Sequence, residues 1–159
     1  MPPRPIVPLE DLDLENVLYD REAIREINPH RFEMEQIDAV CLMDPDAAMV
    51  AGYRDVRDDE FWVRGHIPGR PIFPGVLMIE ASAQMCSVMY YTMLNPGADH
   101  FFGFGGLDRV KFRGSAVPGD RLVFMARSLE RRSRKWTFEA QAFIEGRMVF
   151  EAVVTGMVV

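Results

Sequence analysis

A chain of 159 residues, 48% hydrophobic and 26% charged, has room for one domain with a proper core and is too short for two ordinary ones. Its formal net charge of −6 disfavours non-specific binding to nucleic acid, and no apolar run reaches the ~18 residues of a membrane span. Two cysteines, Cys41 and Cys86, make no disulfide framework and match no zinc spacing, so Cys86 is read as a reduced core residue.

The first five residues, Met1-Pro2-Pro3-Arg4-Pro5, carry no apolar signal region, and a cytoplasmic location is expected. Residues 1–12, rich in proline and acidic side chains, read as a mobile arm ahead of a single domain spanning 13–159. Asp20 is placed to cap a short helix over 21–27, which Pro29 stops. The β-favouring runs 37–43 and 48–56 flank Asp44-Pro45-Asp46 and predict a hairpin. Phe61-Trp62-Val63 reads as a short extended piece. An apolar helix follows over 75–94, closed by Asn95-Pro96-Gly97.

Four strand-like runs complete the chain: 101–112, 121–129, 136–144 and 148–158. The connections Val117-Pro118-Gly119-Asp120, 131–135 and Glu145-Gly146-Arg147 are short enough for antiparallel neighbours, which predicts a meander. Trp136, Phe138, Ala140 and Ala142 alternate with Thr137, Glu139, Gln141 and Phe143, the pattern of a sheet with one buried face. A helix that is apolar nearly all round needs cover on most sides, and a curved antiparallel sheet supplies it, so the fold class is α+β.

The chemistry concentrates in residues 66–84. His66 opens a loop in which Pro68, Pro71 and Pro74 fix φ and remove N–H donors, so this stretch is neither helix nor inner strand. Gly75 leaves backbone room at the start of the helix. There the N–H groups of Gly75 and Val76 lack intrahelical partners and carry the positive end of the dipole, a place for a developing oxyanion. Glu80 follows one turn on, among Val76, Leu77, Ala83 and Met85, with Gln84 as its polar neighbour. A carboxyl buried in apolar surroundings escapes the cost of ionisation by a raised pKa, which would make Glu80 a proton donor and His66 the matching base. His30 reads as structural, pairing with backbone or a nearby carboxylate, and His100 as solvated. Arg109, Lys111 and Arg113 alternate along one strand face, while Arg131, Arg132, Arg134 and Lys135 form a basic turn; each group is either a solvated face or a docking patch.

The string from His66 to Leu77, His-Ile-Pro-Gly-Arg-Pro-Ile-Phe-Pro-Gly-Val-Leu, followed by Glu80-Ala81 and Ala83-Gln84, resembles the active-site signature of the 3-hydroxyacyl-[acyl-carrier-protein] dehydratases of the Z type. Further matches are Pro29-His30-Arg31-Phe32 ahead of Asp38, Gly106-Leu107-Asp108 with Val110-Lys111-Phe112, and Val117-Pro118-Gly119-Asp120, so the resemblance covers roughly residues 20–158. The A-type dehydratase-isomerases place Asp where this chain has Glu80.

The resemblance implies a hotdog fold and the dehydration of a (3R)-3-hydroxyacyl thioester to the trans-2-enoyl thioester in fatty acid biosynthesis. The substrate would ride on the phosphopantetheine arm of an acyl carrier protein. His66 would take the α-proton, Glu80 would supply a proton to the leaving hydroxyl, and Gly75, Val76 and Gln84 would hold the thioester. Alternatively His66 handles both protons and Glu80 orients. No metal or redox cofactor is needed for such an elimination. The resemblance further implies homodimers in which each site takes its His from one subunit and its Glu from the other, commonly assembled as trimers of dimers. It also implies an acyl tunnel, for which Met78, Met85, Met89 and Met93 would be wall or core, and Phe101, Phe102 and Phe104 gate or core. Ile67 stands where the family has Phe, and the segments 33–36 and 103–106 depart from its pattern, which bears on chain length and carrier rather than on the acid/base pair. A hotdog acyl thioesterase and a non-catalytic acyl-binding protein are the alternatives.

Overall fold

Asp20 accepts a hydrogen bond from the Ala23 N–H at 2.9 Å and so opens α1, Arg21–Ile27, where the sequence predicts it. The computed structural model describes residues 1, 3–97 and 100–159. Strands β1 (Ala39–Asp44) and β2 (Met49–Asp55) form the expected hairpin. The long helix α2 runs Gly75–Leu94, and Asn95 ends it in the left-handed region at φ 42°, its N–H bonded to the Tyr91 carbonyl. Four strands follow: β3 (Phe102–Phe112), β4 (Arg121–Arg131), β5 (Lys135–Ile144) and β6 (Arg147–Val158).

All pairings are antiparallel and the strand order is β1-β2-β4-β5-β6-β3. The sheet wraps α2, whose buried Met78, Met85, Val88 and Met89 belong to the same core as Phe124, Phe138 and Phe150. This is the hotdog architecture. Burial of that apolar surface is what holds helix to sheet, at roughly 25 cal/mol per Å² removed from water.

The expected meander holds only for β4, β5 and β6. β3 pairs with β6 at the far edge, and β4 pairs with β2, so the link after β3 is a crossing strap and not a hairpin turn. Short-range turn chemistry at Val117–Asp120 is real, since Val117 N–H bonds the Asp120 carboxylate at 2.8 Å. The strap's longer-range bonds decide its path: Gly119 N–H to the Val56 carbonyl and Val56 N–H to the Asp120 carbonyl, both 2.9 Å. Phe73 N–H bonds the Ala116 carbonyl at 2.8 Å, with Ala116 fully buried, so the strap also ties down the loop that carries His66.

The N-terminal arm, expected to be mobile, lies docked on the outer face of the sheet. Ile6 and Val7 are buried with Ala51, Val123, Met125, Phe143 and Met148. Gln141 clamps the arm at both sides, accepting from Ile6 N–H at 2.9 Å and donating to the Arg4 carbonyl at 3.0 Å. This explains why the alternation of β5 gives way to a strand buried on both faces from Ala140 to Ile144. Residues 61–63 are likewise a tight turn, not an extended piece: Val63 N–H bonds Glu60, and Gly65 and His66 N–H both bond the Trp62 carbonyl.

Candidate functional site

Two polar groups in this fold are held in unusual detail, and they lie in different places. The first is His66. Buried Glu60 accepts from the Arg57 N–H and the Trp62 indole N–H, each at 2.9 Å, and pairs with the buried guanidinium of Arg54. Arg54 in turn lies 5.5 Å from the Phe73 ring centroid and donates to the Glu35 carbonyl. Trp62 meets Phe73 edge to face at 5.5 Å. On this frame the His66 N–H bonds the Trp62 carbonyl at 2.7 Å and the Ile72 N–H bonds the His66 carbonyl at 2.8 Å. The loop between is closed by reciprocal Ile67 and Arg70 backbone bonds, with Gly69 at φ 75°, where only glycine is comfortable.

The His66 ring bonds the Ile72 carbonyl through Nδ1 at 2.7 Å. A carbonyl oxygen only accepts, so Nδ1 carries the hydrogen and Nε2 presents its lone pair. That tautomer is a base. Three residues after Ile72, α2 starts at Gly75 with no side-chain cap from Pro74, which leaves the Gly75 and Val76 N–H groups pointing ahead of the helix. A Cβ at Gly75 would lie 2.8 Å from the ring edge of half-exposed Phe112, so this side chain of β3 packs directly on the start of the helix.

The second group is Glu80. It lines a cavity of about 190 Å³ between α2 and the β3 and β6 strands, walled by Ala83, Cys86, Phe102, Phe104, Phe138 and Val154. Its Oε1 accepts from the Gln84 amide at 2.7 Å and lies 3.3 Å from His30 Nε2. His30 therefore pairs with a carboxylate as expected, but that carboxylate is the candidate site residue itself. The expected raised pKa of Glu80 is not found. Its bond to His30, joined by that to Gln84, outweighs burial and holds the carboxyl below the usual carboxylate range. The apolar neighbours in sequence gave no sign of a histidine arriving from fifty positions upstream.

His66 does not line the cavity that holds Glu80, and no hydrogen bond joins the two side chains among the described residues. The methionines are not the cavity wall. Met78, Met85 and Met89 are buried on the opposite side of α2, which follows from helical spacing, while Glu80, Ala83 and Ser87 share the cavity face. Phe102 is core, stacked on Tyr90 at 3.8 Å; Phe101 and Phe104 are half-exposed at the cavity rim. Cys86 is buried and its thiol pushed up by that burial.

The basic groups separate. Lys111 and Arg113 share Glu151 at 3.6 and 2.6 Å, near the start of α2. Arg109 does not alternate with them, because an irregularity in the pairing of β3 places it at φ 50°. Arg131 and Arg132 lie beside Met93 and Leu94 at the opposite end of α2, with Arg132 bonded to Glu130, while Arg134 donates to the Val158 carbonyl. Lys135 of the same turn is exposed.

These features define a hotdog domain with a polar pair set into its apolar interior. Residues 28–153 match the FabA-like domain, and the chain belongs to that family. In structure it is similar to the dehydratase heterocomplex ApeI:P of Xenorhabdus doucetiae, at a TM-score of 0.71 and 17% identity, covering 84% of this chain and 89% of that one. It is similar also to a hypothetical thioesterase with coenzyme A of Streptococcus pneumoniae, at a TM-score of 0.57 and 10% identity, covering 76% and 84%. A third likeness is to the fluoroacetyl-CoA thioesterase FlK, at a TM-score of 0.60 and 11% identity, covering 71% and 86%. At these identities the likenesses establish the fold. No described helix is long and apolar enough to cross a membrane.

Proposed function

We propose that this protein removes water from (3R)-3-hydroxyacyl thioesters of the acyl carrier protein, giving trans-2-enoyl thioesters, as in the Z-type dehydratases of fatty acid synthesis. The observation that carries this reading is the Nδ1–H bond of His66 to Ile72, which leaves Nε2 free as a base on a rigid loop. His66 Nε2 takes the α-proton while the thioester oxygen gathers charge against the Gly75 and Val76 N–H groups. The C3–O bond then breaks, and the proton leaves the imidazolium with the hydroxyl as water, so His66 ends neutral. Because Glu80 is held ionised, it acts as the acceptor that orients the 3-hydroxyl and steadies the imidazolium, rather than as the proton donor.

His66 lies outside the lining of the Glu80 cavity, which is consistent with a site shared between two copies. Ile67, Val76, Phe104 and Phe112 are exposed around the start of α2 and along β3, and β3 is an eleven-residue edge strand, a surface suited to a second copy. A trimer of such dimers would be the full assembly. Carrier docking is assigned to the Arg109, Lys111 and Arg113 strand in preference to the 131–135 turn, since the former adjoins the start of α2 and the latter its far end.

One observation favours a second reading. An ionised carboxylate over an acyl cavity also suits activation of water, as an acyl thioesterase would need. Mixing the protein with crotonyl or 3-hydroxyacyl thioester decides between them. Change in the absorbance of the unsaturated thioester without free thiol is the expected result; thiol release would establish hydrolysis, and silence in both signals would leave acyl binding alone.

A further inference from the structure

The reading above gives Glu80 its task but not the means of holding it. Gln84 is locked, because its Oε1 accepts from the Gln36 N–H at 2.9 Å while its Nε2 donates both to the Met34 carbonyl at 2.6 Å and to Glu80 Oε1 at 2.7 Å. An amide so engaged does not flip. His30 approaches the same oxygen from the segment after α1, with Nε2 at 3.3 Å. Its Nδ1 is buried and has no partner among the described residues. An N–H there would be left unpaired at a cost, so the hydrogen sits on Nε2, the ring nitrogen 3.3 Å from Glu80 Oε1. No bond to Glu80 Oε2 is made among the described residues.

We propose that His30 is a positioning residue of the reaction: its Nε2–H and the Gln84 amide together clamp one oxygen of Glu80, so that the other is presented to the substrate in the cavity. The inference rests on the functional reading given above and adds a third side chain to it. The clamp draws its two arms from different elements, so it forms only when the 28–36 segment is seated on α2. Asn28 secures that seating by donating to the Gln84 carbonyl at 3.0 Å.

The other titratable groups around the pair are committed elsewhere. Cys86 in the same cavity has its thiol pushed up by burial. Behind His30 and Gln84, Arg25 is bidentate to Glu35, and Arg21 bonds Asp38. The β3 and β6 side of the cavity contributes no ionisable group.

The test compares His30→Phe, which keeps a ring and loses the donor, with His30→Gln, whose amide reaches the Nε2 position. The Glu80 carboxyl is titrated by carbon-13 NMR in the full-length protein, alongside kcat and KM on 3-hydroxyacyl thioester. In His30→Phe the Glu80 titration should move to higher pH and kcat should fall about tenfold to a hundredfold, the cost of a misplaced group, with KM changed less than kcat. His30→Gln should restore most of both. If His30→Phe does not fold, His30→Ser replaces it, because the ring is already part-exposed. A Glu80 titration unmoved by loss of the donor would overturn the clamp, and a moved titration with unchanged kcat would overturn its role in the reaction. Wild-type protein inert toward the thioester would sink the dehydratase reading, while the NMR titration would still decide the clamp.

Discussion

His66 and Glu80 differ in how their environments set them, and their variants should differ accordingly. On the proposed mechanism His66→Ala removes the base and should lower kcat by about 10²- to 10⁴-fold, the usual worth of general acid/base catalysis. Glu80→Gln keeps shape and one acceptor but loses the charge. Its cost should be about tenfold to a hundredfold, as for a charge-assisted hydrogen bond of about 1.5–3 kcal/mol. Steady-state kinetics on both variants checks the order, and a Glu80→Gln loss as large as that of His66→Ala would return the proton-donor role to Glu80. A separate carboxylate, Glu35, contributes to the acid dependence of stability. Glu35 is held below the usual range chiefly by its bond to Arg25. Its contribution is therefore present above the unfolded value of about 4.3 and disappears as pH falls through the lower folded value. Urea melts should show Glu35→Gln clearly less stable than wild type at pH 7, and the gap should narrow below about pH 4.

Among the elements, α2 was the most legible, from Gly75 to the closing Asn95, because local chemistry marks both its ends. The strand segments were legible too, within a residue or two. Their order was not, since nothing in the 113–120 strap announces that its partners are Val56 and Phe73 and not a neighbouring strand. The same limit applies to the site. The Pro-framed His66 loop is local and readable, whereas the Arg54–Glu60 pair beneath it and the His30 contact to Glu80 join residues whose nearness only the fold creates. One element-level contact is open to direct test. A Cβ at Gly156 of β6 would stand 2.0 Å from the buried Phe102 ring, which is stacked on Tyr90 and has little freedom to retreat. Gly156→Ala should lose about 1–3 kcal/mol by overpacking and should also narrow the cavity at Glu80, seen as a lower Tm together with weaker use of longer acyl chains.

At the scale of the whole molecule, one copy of this chain keeps His66 out of the lining of the cavity that holds Glu80. If two copies complete each other, His66→Ala and Glu80→Gln subunits mixed under exchange should show activity above that of either parent. Mass spectrometry would confirm the exchange, and hetero-oligomers no better than their parents would rule out the shared site. The docked arm has a different consequence, one of timing. Ile6 finds its hydrogen-bond partner 135 positions later, in Gln141, and its apolar neighbours Phe143 and Met148 come later still. A nascent chain therefore carries this segment unpaired until nearly the whole sheet has emerged, and during that interval the strip formed by Ala51, Val123 and Met125 is open to whatever else is near. The arm can complete its seat only once Gln141, Phe143 and Met148 are available, which lengthens the interval in which misassembly can compete.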